Sequence, residues 1–199
     1  ETNCKVHIAH ISTKIALDYV RQAKSTEKGK KLVTCEATPH HLGLNQEMPG
    51  FENQLVNPPL RPKSDMEAVV EAILDGTVDV IGTDHAPHTF QDKENGACGF
   101  TGIETSYGVC NTVLVKEGQI SPRRLSQIMS ANPARLLHLS KGLLKAGFDS
   151  DLTIVNPEES WKVEAERFLS KGKATPFEGK TLTGRVKAVF VSGKQVYKA

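Results

Sequence analysis

The sequence lacks paired cysteines and long apolar runs. Its four cysteines, Cys4, Cys35, Cys98 and Cys110, form no CxxC pair and lie far apart in the chain, so a disulfide framework is not indicated. No cysteine has the partner spacing of a catalytic nucleophile. No apolar stretch approaches the roughly 20 residues that span a bilayer. We therefore expect reduced thiols, a cytoplasmic location and no membrane association.

Neither positive nor negative charge is concentrated in one segment of the chain. The chain has 25 Lys and Arg against 23 Asp and Glu, a net charge of +2. The nearest basic run, Lys28 to Lys31, contains Gly29 and follows Glu27, with no aromatic residues among its members. We interpret it as a solvated turn and exclude nucleic acid as a partner. With 199 residues and 38% hydrophobic content, the chain is expected to fold around one sizeable core or two small ones.

Residues 1–90 alternate between strand-like and helix-like patterns. This alternation is typical of a parallel sheet or a (β/α) barrel. The predicted elements are strands at 5–9, 31–36 and 78–81, a helix capped by Ser12 or Thr13, and a helix capped by Ser64 or Asp65.

The second half of the chain changes character at Gly142. Residues 103–140 are helical in pattern, with Ser121-Pro122 predicted to begin one helix and Asn132-Pro133 the next. Short β runs follow at 151–155, 186–191 and 195–197, the last two joined by a predicted hairpin turn at Ser192-Gly193-Lys194. We expect residues 1–141 to belong to an α/β barrel and residues 142–199 to a small β domain.

The segment TVDVIGTDHAPHTF (77–90) concentrates the chemistry. A short apolar strand ends at Asp84, His85 and His88, and parallel α/β folds carry their catalytic groups at such strand ends. A carboxylate and two imidazoles supply a base, potential metal ligands and hydrogen-bond donors. Taken alone, the segment is equally consistent with a capping aspartate and ordinary loop histidines.

The segments that carry a family resemblance run in order along the whole chain. They are HIST (10–13), TPHHL (38–42), NPPLR (57–61), TDHAPH (83–88), GFTGIET (99–105), DLTI (151–154) and TPFEG (175–179). Together they resemble the dihydroorotases of the amidohydrolase superfamily, in the longer type related to the dihydroorotase region of the multifunctional pyrimidine enzyme. The resemblance covers only the C-terminal half of such an enzyme. It implies an α/β fold: the last three strands of a (β/α)8 TIM-type metal-dependent hydrolase barrel, plus part of a small β domain.

This resemblance implies reversible hydrolysis of the cyclic amide of dihydroorotate to N-carbamoyl-L-aspartate, in pyrimidine biosynthesis, at a site with one or two Zn²⁺ ions. His10 matches a metal ligand. Asp84 matches a residue that contacts the metal and acts as general base and acid. Asn57 and His88 match substrate-binding positions, and the loop Gly99, Phe100, Thr101 and Gly102 matches one that offers backbone groups to the substrate. These residue types suit amide hydrolysis, which needs a metal-activated water and a carboxylate that carries its proton.

The remaining polar residues are expected to have supporting roles. Strand alternation predicts that His7 and His10 lie on opposite faces, which leaves His7 a packing residue. His40, His41 and His85 are predicted to support the site without binding metal. His138 is predicted to be a packed or surface residue of its helix, and Glu104 a helix-capping carboxylate.

The family's HxH pair, an adjacent arginine, a bridging carbamylated lysine or aspartate and a further histidine have no counterpart in these residues. We therefore expect the chain to need the N-terminal half of the same enzyme as its partner and to be inactive without it. A homo-oligomer or an association with aspartate transcarbamoylase remains open. Two alternatives stay open as well: a related cyclic amidase, such as an allantoinase or dihydropyrimidinase, and a non-catalytic subunit that scaffolds a transcarbamoylase.

Overall fold

The computed structural model describes residues 3–48, 55–117 and 119–199, and its first half is built on a parallel sheet. Strands β1 (Val6–Ile8), β2 (Val33–Ala37) and β3 (Val80–Ile81) are hydrogen-bonded in that order. Val6 pairs with Val33, and Glu36 pairs with Val80. The predicted alternation of strand and helix is confirmed, and all three strands end at the same edge.

Helices cover the sheet and join its strands. The first, α1 (Lys14–Ala23), is capped by Thr13, whose hydroxyl accepts a hydrogen bond from the Ala16 N–H at 3.3 Å. Thr13 is therefore the cap, of the two residues that the sequence offered. The others in this half are α2 (Glu27–Leu32), α3 (Pro39–Gly43), α4 (Lys63–Leu74) and α5 (Phe90–Glu94).

Three local predictions are wrong. The basic run at 28–31 lies in helix α2, because Thr26 caps that helix through the Gly29 N–H. Helix α4 begins after Pro62 and has no side-chain cap, since the Asp65 carboxylate instead accepts from the Lys14 N–H at 2.8 Å. Strand β3 is shorter than predicted, because the Val78 N–H bonds to the Ala72 carbonyl at the end of α4.

The helical region after residue 105 contains two wide turns. Helix α6 (Ser106–Cys110) continues as a π-helical turn (Asn111–Lys116). Helix α7 (Pro122–Ser126) passes through a second π turn (Gln127–Ala131) into α8 (Asn132–Leu136). Pro122 begins α7 as predicted, but Asn132 does not begin a separate helix. A proline inside a helix lacks the N–H for its i−4 carbonyl and crowds it, and the π turn before Pro133 accommodates this without a break.

The last part of the chain is an antiparallel sheet. Strands β4 (Leu152–Lys162), β5 (Thr181–Val191) and β6 (Lys194–Lys198) pair in that order, and a short 3₁₀ turn (Ala165–Arg167) follows β4. The two-residue link between β5 and β6 is Ser192-Gly193, and both residues have positive φ, 50° and 75°. These angles are those of a type I′ hairpin turn, so the predicted hairpin is confirmed.

The two sheets do not have separate interiors. One core lies between the parallel sheet and its helices, with Leu17, Val69 and Ile73 fully buried. A second core combines residues from both halves of the sequence; its members include Leu44, Phe100, Val109, Val163, Phe177 and Leu182. The boundary at residue 142 stays a prediction. None of the helices in the described ranges is long and apolar enough to cross a membrane.

Candidate active site

His10 and Asp84 meet at the carboxyl edge of the parallel sheet. His10 follows β1 and Asp84 follows β3, and His10 Nε2 lies 3.5 Å from Asp84 Oδ1 although β2 separates the two strands. Both residues have positive φ, 52° for His10 and 48° for Asp84. Non-glycine residues adopt this conformation at a cost of roughly 1–3 kcal/mol each, and such strain concentrates at functional sites. The structure thus brings together the two residues that the sequence indicates as metal ligands.

Glu36 was not predicted as a site residue, but its carboxylate contacts both His7 and His10. Its Oε1 lies 2.7 Å from His10 Nδ1, and its Oε2 lies 3.2 Å from His7 Nε2. His10 Nδ1 makes no hydrogen bond within the described residues, so we treat the first contact as an electrostatic one. A Cβ on Gly82 would stand 2.8 Å from the Glu36 carboxylate, so glycine leaves the space that this carboxylate uses. Glu36 could have been identified from the sequence, because it is a carboxylate at the end of a predicted strand.

The prediction that His7 and His10 point to opposite faces is wrong, since both contact Glu36. Strand β1 ends at Ile8, and the left-handed backbone at His10 turns its side chain back over the sheet edge. Strand alternation no longer applies once the strand has ended. His7 is held by Thr34 Oγ1, 2.8 Å from its Nδ1, which supports its predicted packing role.

The environment of Asp84 shifts the pKa of its carboxyl group upward. Burial raises the pKa of this carboxyl group; the His10 imidazole lowers it, the Glu36 carboxylate raises it further, and the net direction is upward. An aspartate whose pKa is raised is a better proton acceptor than an ordinary surface carboxylate.

His40 faces the other oxygen of Asp84. Its Nε2 lies 3.8 Å from Asp84 Oδ2, is buried and has no hydrogen-bond partner in the described part of the chain. Burial, followed by the nearby His41 and His10, lowers the pKa of His40 to about 2, so the imidazole is neutral. Its ring meets the Phe100 ring edge-on, with centroids 5.3 Å apart. A neutral imidazole in this position can donate one proton toward Asp84.

His41 holds the NPPLR segment in place through Pro58. Its Nε2 lies 3.1 Å from the Pro58 carbonyl, which can only accept, so Nε2 carries the proton and Nδ1 accepts from the Thr38 hydroxyl at 2.7 Å. Burial lowers the pKa of His41 to about 4, against the opposing effect of the Pro58 and Pro59 carbonyls. Its contacts are those of a supporting residue. Asn57, the residue before Pro58, is exposed.

The loop from Gly99 to Gly102 lies against the DHAPH segment. His85 Nδ1 accepts from the Gly102 and Ile103 N–H groups, both at 3.3 Å, and the Ala86 N–H donates to the Phe100 carbonyl at 3.0 Å. Gly99 has a φ of 128°, and a Cβ there would stand 2.5 Å from Ala86 Cβ. A glycine is therefore needed for this close approach.

The side chains of this loop face inward. Phe100 and Thr101 are buried, and the Thr101 hydroxyl donates to the Gly172 carbonyl at 2.8 Å. Only backbone groups of this loop remain for a ligand, and the Thr101 N–H already bonds to the Ala174 carbonyl at 2.9 Å. The segment at 172–174 thus holds the loop from the C-terminal side.

His88 and Glu104 also bond to neighbouring loops. His88 Nε2 donates to the Cys98 carbonyl at 3.1 Å, and the other ring nitrogen, Nδ1, takes no part in this bond. Glu104 accepts from the Leu169 and Ser170 N–H groups at 2.9 and 3.0 Å. The prediction that Glu104 caps a helix is therefore wrong: helix α6 has Thr105 before its first residue and no side-chain cap. Its role depends on a segment 65 residues away.

The residues present fit part of a metal site. Across the described ranges, no group of three His, Cys, Asp or Glu side chains is arranged to hold a metal ion by itself. His10 and Asp84 nevertheless suit two adjacent ligands, because zinc ligands at about 2.1 Å in tetrahedral geometry stand about 3.4 Å apart, and these two atoms are 3.5 Å apart. The buried Nε2 of His40, which has no hydrogen-bond partner among the described residues, lies 3.8 Å from Asp84 Oδ2. His10 and Asp84 are two candidate ligands, and a catalytic zinc typically takes three protein ligands.

A parallel sheet with polar and titratable side chains at its carboxyl edge is typical of the α/β barrel class. The chain belongs to the amidohydrolase family, whose model matches residues 3–196. It is 46% identical over 193 residues to a dihydroorotase of Clostridium botulinum, with 97% of this chain and 47% of that protein covered. It is 45% identical over 203 residues to a dihydroorotase of a Thermoanaerobacter species, with 99% and 46% covered.

Solved structures agree on the fold. An L-hydantoinase (dihydropyrimidinase) from Arthrobacter aurescens matches with a TM-score of 0.91 and 30% sequence identity, covering 98% of this chain and 45% of that one. The chain therefore spans about half the length of its relatives. The predicted resemblance to dihydroorotases and the predicted barrel class are confirmed. Members of this family are generally metal-dependent.

Proposed function

We propose that this chain forms the C-terminal half of a dihydroorotase, which interconverts dihydroorotate and N-carbamoyl-L-aspartate in pyrimidine biosynthesis with zinc. The observation that carries the proposal is the 3.5 Å approach of His10 Nε2 to Asp84 Oδ1, two strained residues at the ends of separate strands. The N-terminal half of the same enzyme supplies the remaining ligands and strands. A cytoplasmic location fits this function.

Each residue has a role in the proposed reaction. His10 and Asp84 hold one or two zinc ions together with ligands from the other half. When bound, zinc supplies an activated water and polarises the amide carbonyl. Asp84 would accept a proton from the attacking water and return it to the ring nitrogen as the amide bond breaks.

Substrate recognition falls to the surrounding loops. Asn57 and His88 bind the polar edge and carboxylate of dihydroorotate, and the backbone of Gly99 to Gly102 lies along the substrate ring. His41 supports Asn57 by fixing the Pro58 carbonyl, and His85 supports the glycine loop. These supports keep the recognition groups in place before substrate arrives, which lowers the entropy cost of binding.

The second candidate is a hydantoinase or dihydropyrimidinase, because a protein of that name shares the fold at a TM-score of 0.91. The identities favour dihydroorotase, at 46% against 30%. An allantoinase is the third enzyme reading. The intact pair of His10 and Asp84 argues against a non-catalytic subunit that only scaffolds a transcarbamoylase.

The test is turnover by the complete enzyme. Dihydroorotate, dihydrouracil, hydantoin and allantoin are offered in parallel, with zinc content measured on the same samples. The proposal expects hydrolysis of dihydroorotate far above that of the other three, and its loss in Asp84→Asn. Preference for dihydrouracil or hydantoin would support the second candidate. No turnover of any of the four by the zinc-loaded enzyme would support the scaffold reading.

A further inference from the structure

Lys93 lies beside the candidate site and donates to three backbone carbonyls. Its Nζ bonds to the carbonyls of Ala97 at 2.8 Å and Gly99 at 3.0 Å, and to the carbonyl of Leu55. An ammonium group has three N–H donors, so all three are used. The same Nζ stands 5.0 Å from the centroid of the Phe100 ring. The ammonium group of Lys93 therefore lies where two loop segments meet.

The three carbonyls belong to two separate segments. Leu55 precedes Asn57 by two residues, and Gly99 begins the loop from Gly99 to Gly102. The Leu55 carbonyl also accepts from the Gly99 N–H at 3.0 Å, so the two segments already touch. Lys93 adds a second connection between these two segments, because it bonds to the carbonyls of both Leu55 and Gly99. Among the described residues, Lys93 contacts neither Asp84 nor His10.

The placement of Lys93 is itself fixed by its helix. Thr89 and Asp92 form a capping box at the start of α5, with the Thr89 hydroxyl accepting from the Asp92 N–H at 3.1 Å and the Asp92 carboxylate accepting from the Thr89 N–H at 2.8 Å. The Ala97 N–H then bonds to the Asp92 carbonyl at 2.9 Å. This short helix starts at Phe90, two residues after His88. The substrate-binding histidine, the lysine and the glycine loop are thus parts of one folded unit.

We propose that Lys93 is a positioning residue that sets the distance between the Asn57 segment and the Gly99–Gly102 loop. The inference rests on the proposed function for its consequence in catalysis, but the coupling of the two segments is independent of which amide is hydrolysed. Lys93 touches no reacting atom. Its removal therefore weakens substrate binding more than the chemical step.

A lysine is specifically suited to this junction. Its ammonium is a compact charge whose donors point in three directions, whereas the guanidinium of arginine is a planar fork. Arginine can satisfy carbonyls that lie in one plane but cannot converge on three from one point. Methionine has similar length and no donor, and it leaves the partly buried carbonyls of Ala97 and Gly99 and the exposed carbonyl of Leu55 without this partner.

The experiment uses the complete enzyme with the variants Lys93→Met and Lys93→Arg. The control is Lys30→Met, which removes an exposed lysine whose ion pair is with Glu27, one turn away in α2. Steady-state kcat and KM are measured for the amide that the wild-type enzyme hydrolyses, with zinc content on the same samples. We expect Lys93→Met to raise KM about tenfold, as for the loss of about 1.4 kcal/mol of binding, with kcat changed less than threefold and zinc retained. Lys93→Arg should be intermediate, and Lys30→Met should match wild type.

Amide hydrogen exchange gives a readout that does not need turnover. In Lys93→Met, exchange should accelerate together at 55–57 and at 97–102, and remain unchanged in α1 and β2. Unchanged KM in a zinc-loaded variant, or acceleration confined to 97–102 with 55–57 protected, would refute the positioning role. If the wild-type enzyme hydrolyses none of the amides offered, the proposed function fails, while the exchange experiment still decides whether Lys93 couples the two segments. If Lys93→Met does not fold, Lys93→Arg carries both measurements.

Discussion

Replacement of Asp84 separates catalysis from stability at one position. Asp84→Asn keeps the size and shape of the side chain but cannot accept the proton of the attacking water. General acid–base contributions are about 10²–10⁴-fold. The turnover number of the complete enzyme should therefore decrease by a factor in that range. Metal content should be measured in parallel, because an amide is also a weaker ligand than a carboxylate.

The stability of the same variant follows from the backbone. Asp84 has a φ of 48°, and asparagine tolerates this left-handed conformation well, whereas alanine pays roughly 1–2 kcal/mol for it. The carboxylate is also partly buried beside Glu36, an arrangement that raises its pKa, and the amide removes this repulsion. We therefore expect metal-free Asp84→Asn to be as stable as wild type or more so, and Asp84→Ala to be less stable by about 1 kcal/mol.

The assay pairs turnover of dihydroorotate with thermal unfolding of the metal-free enzyme. A difference of about 1 kcal/mol corresponds to about 2–4 °C in Tm for a domain of 150–250 residues. Asp84→Gly is the matched control, since glycine accepts the positive φ without a side chain. Wild-type-like turnover in Asp84→Asn would refute the catalytic role. A Tm for Asp84→Ala equal to that of Asp84→Asn would refute the argument from backbone strain.

Further outcomes follow from the same geometry. His10→Ala should lose zinc on dialysis, as measured by metal analysis; full occupancy would move the ligand role to His7 or to the His40-His41 pair. Asn57→Ala and His88→Ala should retain zinc while kcat/KM falls, and zinc loss in His88→Ala would contradict a substrate-binding role. Gly82→Ala should displace the Glu36 carboxylate, which a Cβ would meet at 2.8 Å, and lower activity with little change in Tm; unchanged kcat would show that Glu36 does not support His10. The 199-residue chain alone should be inactive and gain zinc-dependent turnover when the N-terminal half is supplied, and full activity of the isolated chain would exclude that dependence.

The sequence determined the parts of this protein that depend on short-range pattern. Apolar runs that end in polar residues predicted the three parallel strands and placed His10 and Asp84 at their carboxyl ends. Thr13 was one of two predicted caps, and Ser192-Gly193-Lys194 was predicted as a hairpin turn, because caps and tight turns are set by residues within a few positions. The ordered motifs also predicted the family, since they run along the whole chain.

Only the tertiary structure decided which side chains meet. His7 and His10 both contact Glu36 because the backbone turns after β1 ends, and no alternation rule extends past a strand end. Glu104 bonds to Leu169 and Ser170 instead of a helix N-terminus. The three carbonyls around Lys93 include one that is 38 residues away. Such contacts depend on how distant loops pack together, and local sequence pattern carries no information about that packing.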